Sequence, residues 1–135
     1  MNKKIFIGFL LILLFIIVSG ASYFFKGNHI SEEMYYKGRS ENWEVTTKIL
    51  EQGKNNYENT TIIEYIGNGE IPKEISWKLE GNRFGTGGSN ILNDGKLTKI
   101  EQLRDIEITL KEQYFITVEW NNNYKEDIII YLEDH

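Results

Sequence analysis

The chain contains no cysteine, a single proline at Pro72, and two histidines, His29 and His135. The absence of cysteine excludes disulfides, thiolate nucleophiles and the lipid-bearing cysteine of a bacterial lipoprotein, so folding stability must come from burial alone. With His29 before the domain and His135 at the last position, neither a His-based triad nor an imidazole metal cluster can be assembled within the domain core. Positive charge is also short: the 15 basic residues less Lys3 and Lys4 leave 13, against 20 acidic residues, so residues 26–135 carry a net charge of about -7. That balance disfavours nucleic acid and anionic headgroups as partners, while a basic protein or a wall polymer with positive groups remains compatible.

Long hydrophobic runs are missing as well, with one exception. Residues 5–25 are free of charge and, at about 1.5 Å per helical residue, would span roughly 30 Å, the thickness of a bilayer hydrocarbon core. Lys3 and Lys4 precede the segment, and Tyr23, Phe24 and Phe25 end it with aromatics suited to the outer interface. The positive flank stays cytoplasmic, so the expectation is a signal anchor over residues 1–25, one transmembrane helix with the C-terminal part outside the cell membrane. Ser19, Gly20 and Ala21 also approximate a processing site, so secretion after cleavage at Ala21 is the alternative. Residues 26–40, polar with scattered aromatics, are expected to form a stalk, and residues 41–135 a single extracytoplasmic domain.

Within that domain the apolar periodicity is that of strands. Trp43, Val45, Thr47 and Ile49 alternate with Glu44, Thr46 and Lys48, as a half-buried strand requires. Residues 52–59, with Gly53 and three asparagines, predict a turn, and the β-branched residues 60–66 a second strand. A third over 73–80 puts Ile75, Trp77 and Leu79 on one face, with Pro72 at its entrance where proline is tolerated. Residues 81–96, carrying five glycines, predict a long loop. Leu97, Ile100 and Leu103 suit a helical turn as well as an edge strand, and Ile106, Ile108 and Leu110 alternate again. At the C-terminal end, Tyr114, Ile116, Val118 and Trp120, then Ile128, Ile130 and Leu132, flank Asn121, Asn122 and Asn123, which predicts a β-hairpin closed by residues that tolerate positive φ. The sum is an all-β, two-sheet antiparallel sandwich of about seven strands.

Trp77 on the third strand, with Tyr114 two residues before Ile116, resembles the pattern of immunoglobulin-like and fibronectin type III-like domains, over about residues 41–133. The resemblance implies a core tryptophan at Trp77 and a tyrosine corner at Tyr114; Ile116 stands where the second cysteine would be, so no inter-sheet disulfide forms. The segments Gly38-Arg39-Ser40-Glu41-Asn42-Trp43 and Ile116-Thr117-Val118-Glu119-Trp120-Asn121 also resemble small membrane-anchored or exported β-sandwich proteins of Gram-positive bacilli, a likeness that brings no activity with it.

Chemistry-bearing patterns are sparse. The glycine-rich stretch from Gly81 to Asn90 fits neither G-x-G-x-x-G nor a Walker-type loop, and lacks the strand-to-helix context that aims backbone amides at a phosphate. Adjacent carboxylates such as Glu126-Asp127 point to opposite faces of a strand and do not converge on one bond. Asn93, Asp94 and Gly95 lack the spacing and terminal glutamate of a calcium loop. Ser76 faces outward and Ser89 lies in the glycine-rich stretch, a poor setting for a nucleophile. These features predict no enzyme, no metal and no cofactor. They point to a non-catalytic interaction module at the cell envelope, contacting an envelope protein or wall component, with Arg83, Phe84 and Asn90 as the candidate interaction loop. A ligand-binding accessory module is the alternative, and a carboxylate-based hydrolase a more remote one.

Overall fold

The computed structural model describes residues 32–81, 84–108 and 113–133. Eight strands form: β1 (Glu33–Arg39), β2 (Trp43–Glu51), β3 (Tyr57–Tyr65), β4 (Glu74–Glu80), β5 (Gly85–Ile91), β6 (Lys96–Leu103), β7 (Gln113–Trp120) and β8 (Tyr124–Leu132). All pairings are antiparallel, in one sheet of order β5-β4-β7-β8-β1-β2-β3-β6. The all-β expectation holds. The two separate sheets become one, and the reason lies in the stretch expected to be a stalk.

Residues 33–39 form β1, which pairs with β2 over its whole length and with β8 through Tyr36↔Leu132 and Lys37↔Tyr131. Without it, β5-β4-β7-β8 and β2-β3-β6 would be the two sheets of a sandwich; β1 stitches them together. Only Met34 and Tyr36 mark its inner face, because the next inward position is Gly38. That glycine is required by close approach: an added Cβ would lie 2.1 Å from the Ile129 carbonyl oxygen of β8. A side chain there would push the two halves apart.

One face of the curled sheet is buried. The alternating residues Trp43, Val45 and Ile49 of β2, Ile75, Trp77 and Leu79 of β4, Tyr114, Ile116 and Val118 of β7, and Ile128 and Ile130 of β8 all point into one core. Trp43 and Trp120 meet edge to face with ring centroids 5.4 Å apart, although β2 and β7 are three positions apart in the sheet. On a flat sheet that offset would be about 14 Å at ~4.7–4.9 Å per strand, so the sheet bends round its own core, nearly a barrel. Tyr36 and Tyr114 meet at 4.9 Å in the same manner. Burial, reinforced by Tyr114, raises the Tyr36 pKa far above the usual tyrosine value, so the pair stays neutral and hydrogen-bonded.

The two edge strands, β5 and β6, are consecutive in sequence. Asp94 (φ 50°) and Gly95 (φ 79°) form a two-residue turn closed by Asn93 N–H to Lys96 O and Lys96 N–H to Asn93 O, at 2.9 and 3.0 Å. Beyond the Asn93↔Lys96 bridge the arms separate to opposite edges of the sheet. The Asp-Gly pair considered above for calcium therefore serves as a hairpin turn that joins the edges at one end.

Residues 85–91, expected within a long loop, pair with β4 from Glu80↔Gly85 to Glu74↔Ile91. Glycine and serine have low strand propensity, and the inward positions Thr86, Gly88 and Asn90 carry no large apolar side chain, so pairing alone makes the strand. The ambiguous residues 97–103 belong to β6, paired with β3. Residues 104–108 form no strand; Ile108 is buried and Ile106 packs against the core, with Ile106 N–H bonded to Asn55 O. Asn59, expected in a turn, is 1% exposed inside β3 and donates its amide to Thr61 Oγ1 at 3.4 Å. The expected anchor over residues 1–25 lies outside the described residues.

Candidate functional site

The candidate loop Arg83, Phe84, Asn90 does not come together as an exposed anchor. Arg83 lies outside the described residues. Phe84 is buried, packed edge to face against Tyr114 at 5.8 Å, and so belongs to the core. Asn90 points inward and accepts a hydrogen bond from Trp77 Nε1 at 2.9 Å. Phe84 read as a loop residue because glycines surround it; an isolated aromatic between glycines equally suits a plug that the chain folds inward.

Other sequence candidates are placed as their strand positions dictate. Ser76 and Ser89 are exposed cross-strand neighbours whose hydroxyls bond each other at 2.7 Å. Glu126 and Asp127 diverge: Asp127 accepts from Thr117 Oγ1 at 2.6 Å on the outer face, whereas Glu126 turns toward the β1–β2 turn. There the Glu126 carboxylate accepts from both the backbone N–H and the side-chain amide of Asn42. Partial burial pushes the Glu126 pKa up, but hydrogen bonds from Ser40 and Asn42 outweigh it and hold the carboxyl below the usual glutamate value. Among the described residues no group of three His, Asp or Glu side chains is placed to hold a metal ion.

An open cleft of about 990 Å³ lies between the loop that enters β4 and the β7–β8 turn. One wall is residues 70–76, the other residues 119–125, and Ser89 of β5 closes the floor beside Ser76. Local sequence explains both walls. Asn121 (φ 49°) and Asn122 (φ 61°) adopt the left-handed conformation that asparagine tolerates, which lets Trp120 and Tyr124 pair directly across a three-residue turn. Their rings stack at 5.6 Å and 20°. Trp120 is buried against Trp43, while Tyr124 remains 60% exposed. Across the cleft, Ile71 is 53% exposed, and Pro72 is buried and leads the chain into β4.

The cleft carries charges of both signs, with Glu70, Glu74 and Glu119 against Lys73 and Lys125. Its polar complement is otherwise amide and hydroxyl, from residues 121–123, Ser76 and Ser89. Such a surface offers an aromatic face for stacking and amide and hydroxyl groups for hydrogen bonding. The sequence reading took Asn121, Asn122 and Asn123 as a turn only and did not single out Tyr124. The available signal was three consecutive amides set between two aromatics.

The cleft also has a fixed place relative to the chain's entry. β1 begins at the end of the sheet where β8 finishes and β7 starts, as the Tyr36↔Leu132 and Gln113↔Tyr131 pairs require. Tyr124 and the β7–β8 turn lie at the opposite end, beside Asn42 and the β1–β2 turn. The intervening seven residues of β1 amount to about 20 Å at ~3.3 Å per residue.

Fold and cleft together define a small all-β domain of one curled antiparallel sheet with an open polar cleft at one end. No family model, curated protein or solved structure matches the chain.

Proposed function

We propose that the chain is a membrane-tethered, extracytoplasmic, non-catalytic binding module that presents its cleft to a component of the cell envelope. The observation that carries this reading is the separation of entry and cleft. The chain enters the sheet at one end, after an uncharged N-terminal segment of spanning length, and the cleft opens at the other. Because β1 already begins at Glu33, the connection from residue 26 to residue 32 reaches at most about 25 Å when fully extended. A polar cleft at the end opposite the chain's entry into the sheet suits a binding surface that the attachment of the chain leaves open.

The chain's lack of cysteine makes the test direct. Asn123→Cys, at the β7–β8 turn, introduces a single thiol that a membrane-impermeant maleimide should label in intact cells, with the labelled chain sedimenting in the membrane fraction. Labelling only after lysis would overturn the extracytoplasmic reading. A labelled chain in the medium that begins at Ser22 by mass spectrometry would replace the anchor by a cleaved leader.

A further inference from the structure

The chemistry of the cleft narrows its ligand, on the reading that it is the binding surface of the module. Tyr124 is held from behind: the Trp120↔Tyr124 pair fixes its position and the stacked Trp120 ring, nearly parallel at 20°, fixes its orientation. With 60% of its surface exposed on the cleft wall, it offers solvent a flat, preorganised aromatic face. Such a face is weakly polar and electron-rich, and it matches the C–H face of a sugar ring, whose hydroxyls project at the rim. Beside Tyr124 on the same turn stand the amides of Asn122 and Asn123, and two and three strands away the hydroxyls of Ser76 and Ser89 line the same cleft, groups that both donate and accept hydrogen bonds.

Charge and shape point the same way. Acidic and basic side chains alternate along the walls, so no field of one sign selects an anion or a cation. The cleft is open, and its volume of about 990 Å³ lies at the upper end of the ~300–1,000 Å³ typical of small-molecule sites, room for several consecutive rings. We infer that the cleft binds a neutral glycan strand, with one sugar ring stacked on Tyr124 and its hydroxyl or acetamido groups hydrogen-bonded to Asn122, and a neighbouring ring reaching the Ser76 and Ser89 hydroxyls.

The test is a titration of the purified full chain in zwitterionic detergent micelles with an N-acetylglucosamine tetramer, followed by tryptophan emission. Polyglycerol phosphate and a tetra-alanine peptide are titrated in parallel. The expected result is a saturable response to the neutral tetramer, weakened about tenfold by Tyr124→Ala, equivalent to ~1.4 kcal/mol, and retained by Tyr124→Phe. Asn122→Gly, which suits the positive φ at that position, should weaken it several-fold and serves if Tyr124→Ala does not fold. No saturable response to the tetramer, or one of equal affinity in Tyr124→Ala and Asn122→Gly, overturns the inference. A response confined to the anionic polymer or the peptide overturns it too, while leaving a binding module in place. Failure of the module's location would show separately, in the maleimide labelling of intact cells.

Discussion

At the end where the chain enters the sheet, the connecting segments fold inward: Phe84 is buried against Tyr114, and Ile108 is buried with Ile106 packed against the same core. At the opposite end, Trp43 and Trp120 fill the core just beneath the surface, but the β7–β8 turn above them is polar and stands apart from the loop that enters β4, leaving the cleft. Both ends belong to the same strands, so the difference lies in the loops. A loop with an apolar residue to bury closes its end of the sheet, whereas one made of asparagines and charges gains nothing by entering the core and stays open to water. The closed end serves stability. The open end is available for binding.

Five substitutions test that division, beginning with the largest expected effect. Trp43→Ala removes a side chain with 0% exposure and should lower unfolding free energy by ~3–5 kcal/mol, read from the urea midpoint. Phe84→Ala at the closed end should fall near the lower part of the same range, and unlike Trp43→Ala it should leave Tyr124 and the cleft unaltered. A near-neutral result for Phe84 would mean that the closed end is not sealed by its loop.

Gly38→Ala tests the joint between the halves. Its Cβ would meet the Ile129 carbonyl, and β1 meets β8 in only two paired positions, so a loss of about 1–3 kcal/mol is expected with faster amide exchange along β8. Stability unchanged from that of the parent chain would show that the two halves hold together without β1.

Glu126→Gln acts at the open end, where the carboxylate ties β8 to the β1–β2 turn. The folded pKa of Glu126 is lowered, so its stabilisation is complete above the usual glutamate value of about 4.3 and is lost as pH falls through the lower folded value. Partly exposed hydrogen bonds of this kind contribute about 1 kcal/mol. Thermal melts from pH 7 to pH 3 should therefore show a smaller acid-induced drop in Glu126→Gln than in the parent; parallel curves would remove Glu126 from that joint. Tyr124→Ala has the smallest expected effect on folding, within ~0.5 kcal/mol because the ring is mostly exposed, and the contrast with its effect on binding is what separates the two ends. A loss as large as that of Trp43→Ala would make Tyr124 part of the core.

The alternation in residues 43–49, 75–79, 114–120 and 128–130 is carried into the structure with the same faces buried, because large apolar side chains at a period of two leave one solution. The asparagine turn also forms as its φ preferences dictate. Legibility ended where burial left no apolar mark. β1 shows two apolar residues and a glycine on its inner face, and β5 shows threonine, glycine and asparagine, so both lacked the signal that a strand reading depends on. Asn59 was misplaced for the complementary reason, a polar residue buried by its neighbours' pairing rather than by its own hydrophobicity. The cleft was illegible because it joins residues 70–76 to residues 119–125, which meet through the β4–β7 pairs Ile75↔Trp120 and Ser76↔Glu119.

The sequence by itself determined that the domain is all-β, which face of most strands is buried, and that residues 121–123 form a tight turn, since these follow from side-chain period and local φ preference. It also carries the uncharged segment at residues 5–25 on which the envelope reading rests. Only the tertiary structure decided that the strands form one sheet and that Phe84 is core. It alone set the cleft at the end opposite the chain's entry. Strand neighbours are joined by backbone hydrogen bonds, which every residue can make apart from the N–H that proline lacks, so the pairing that joins distant segments leaves little mark on the identity of the residues that pair.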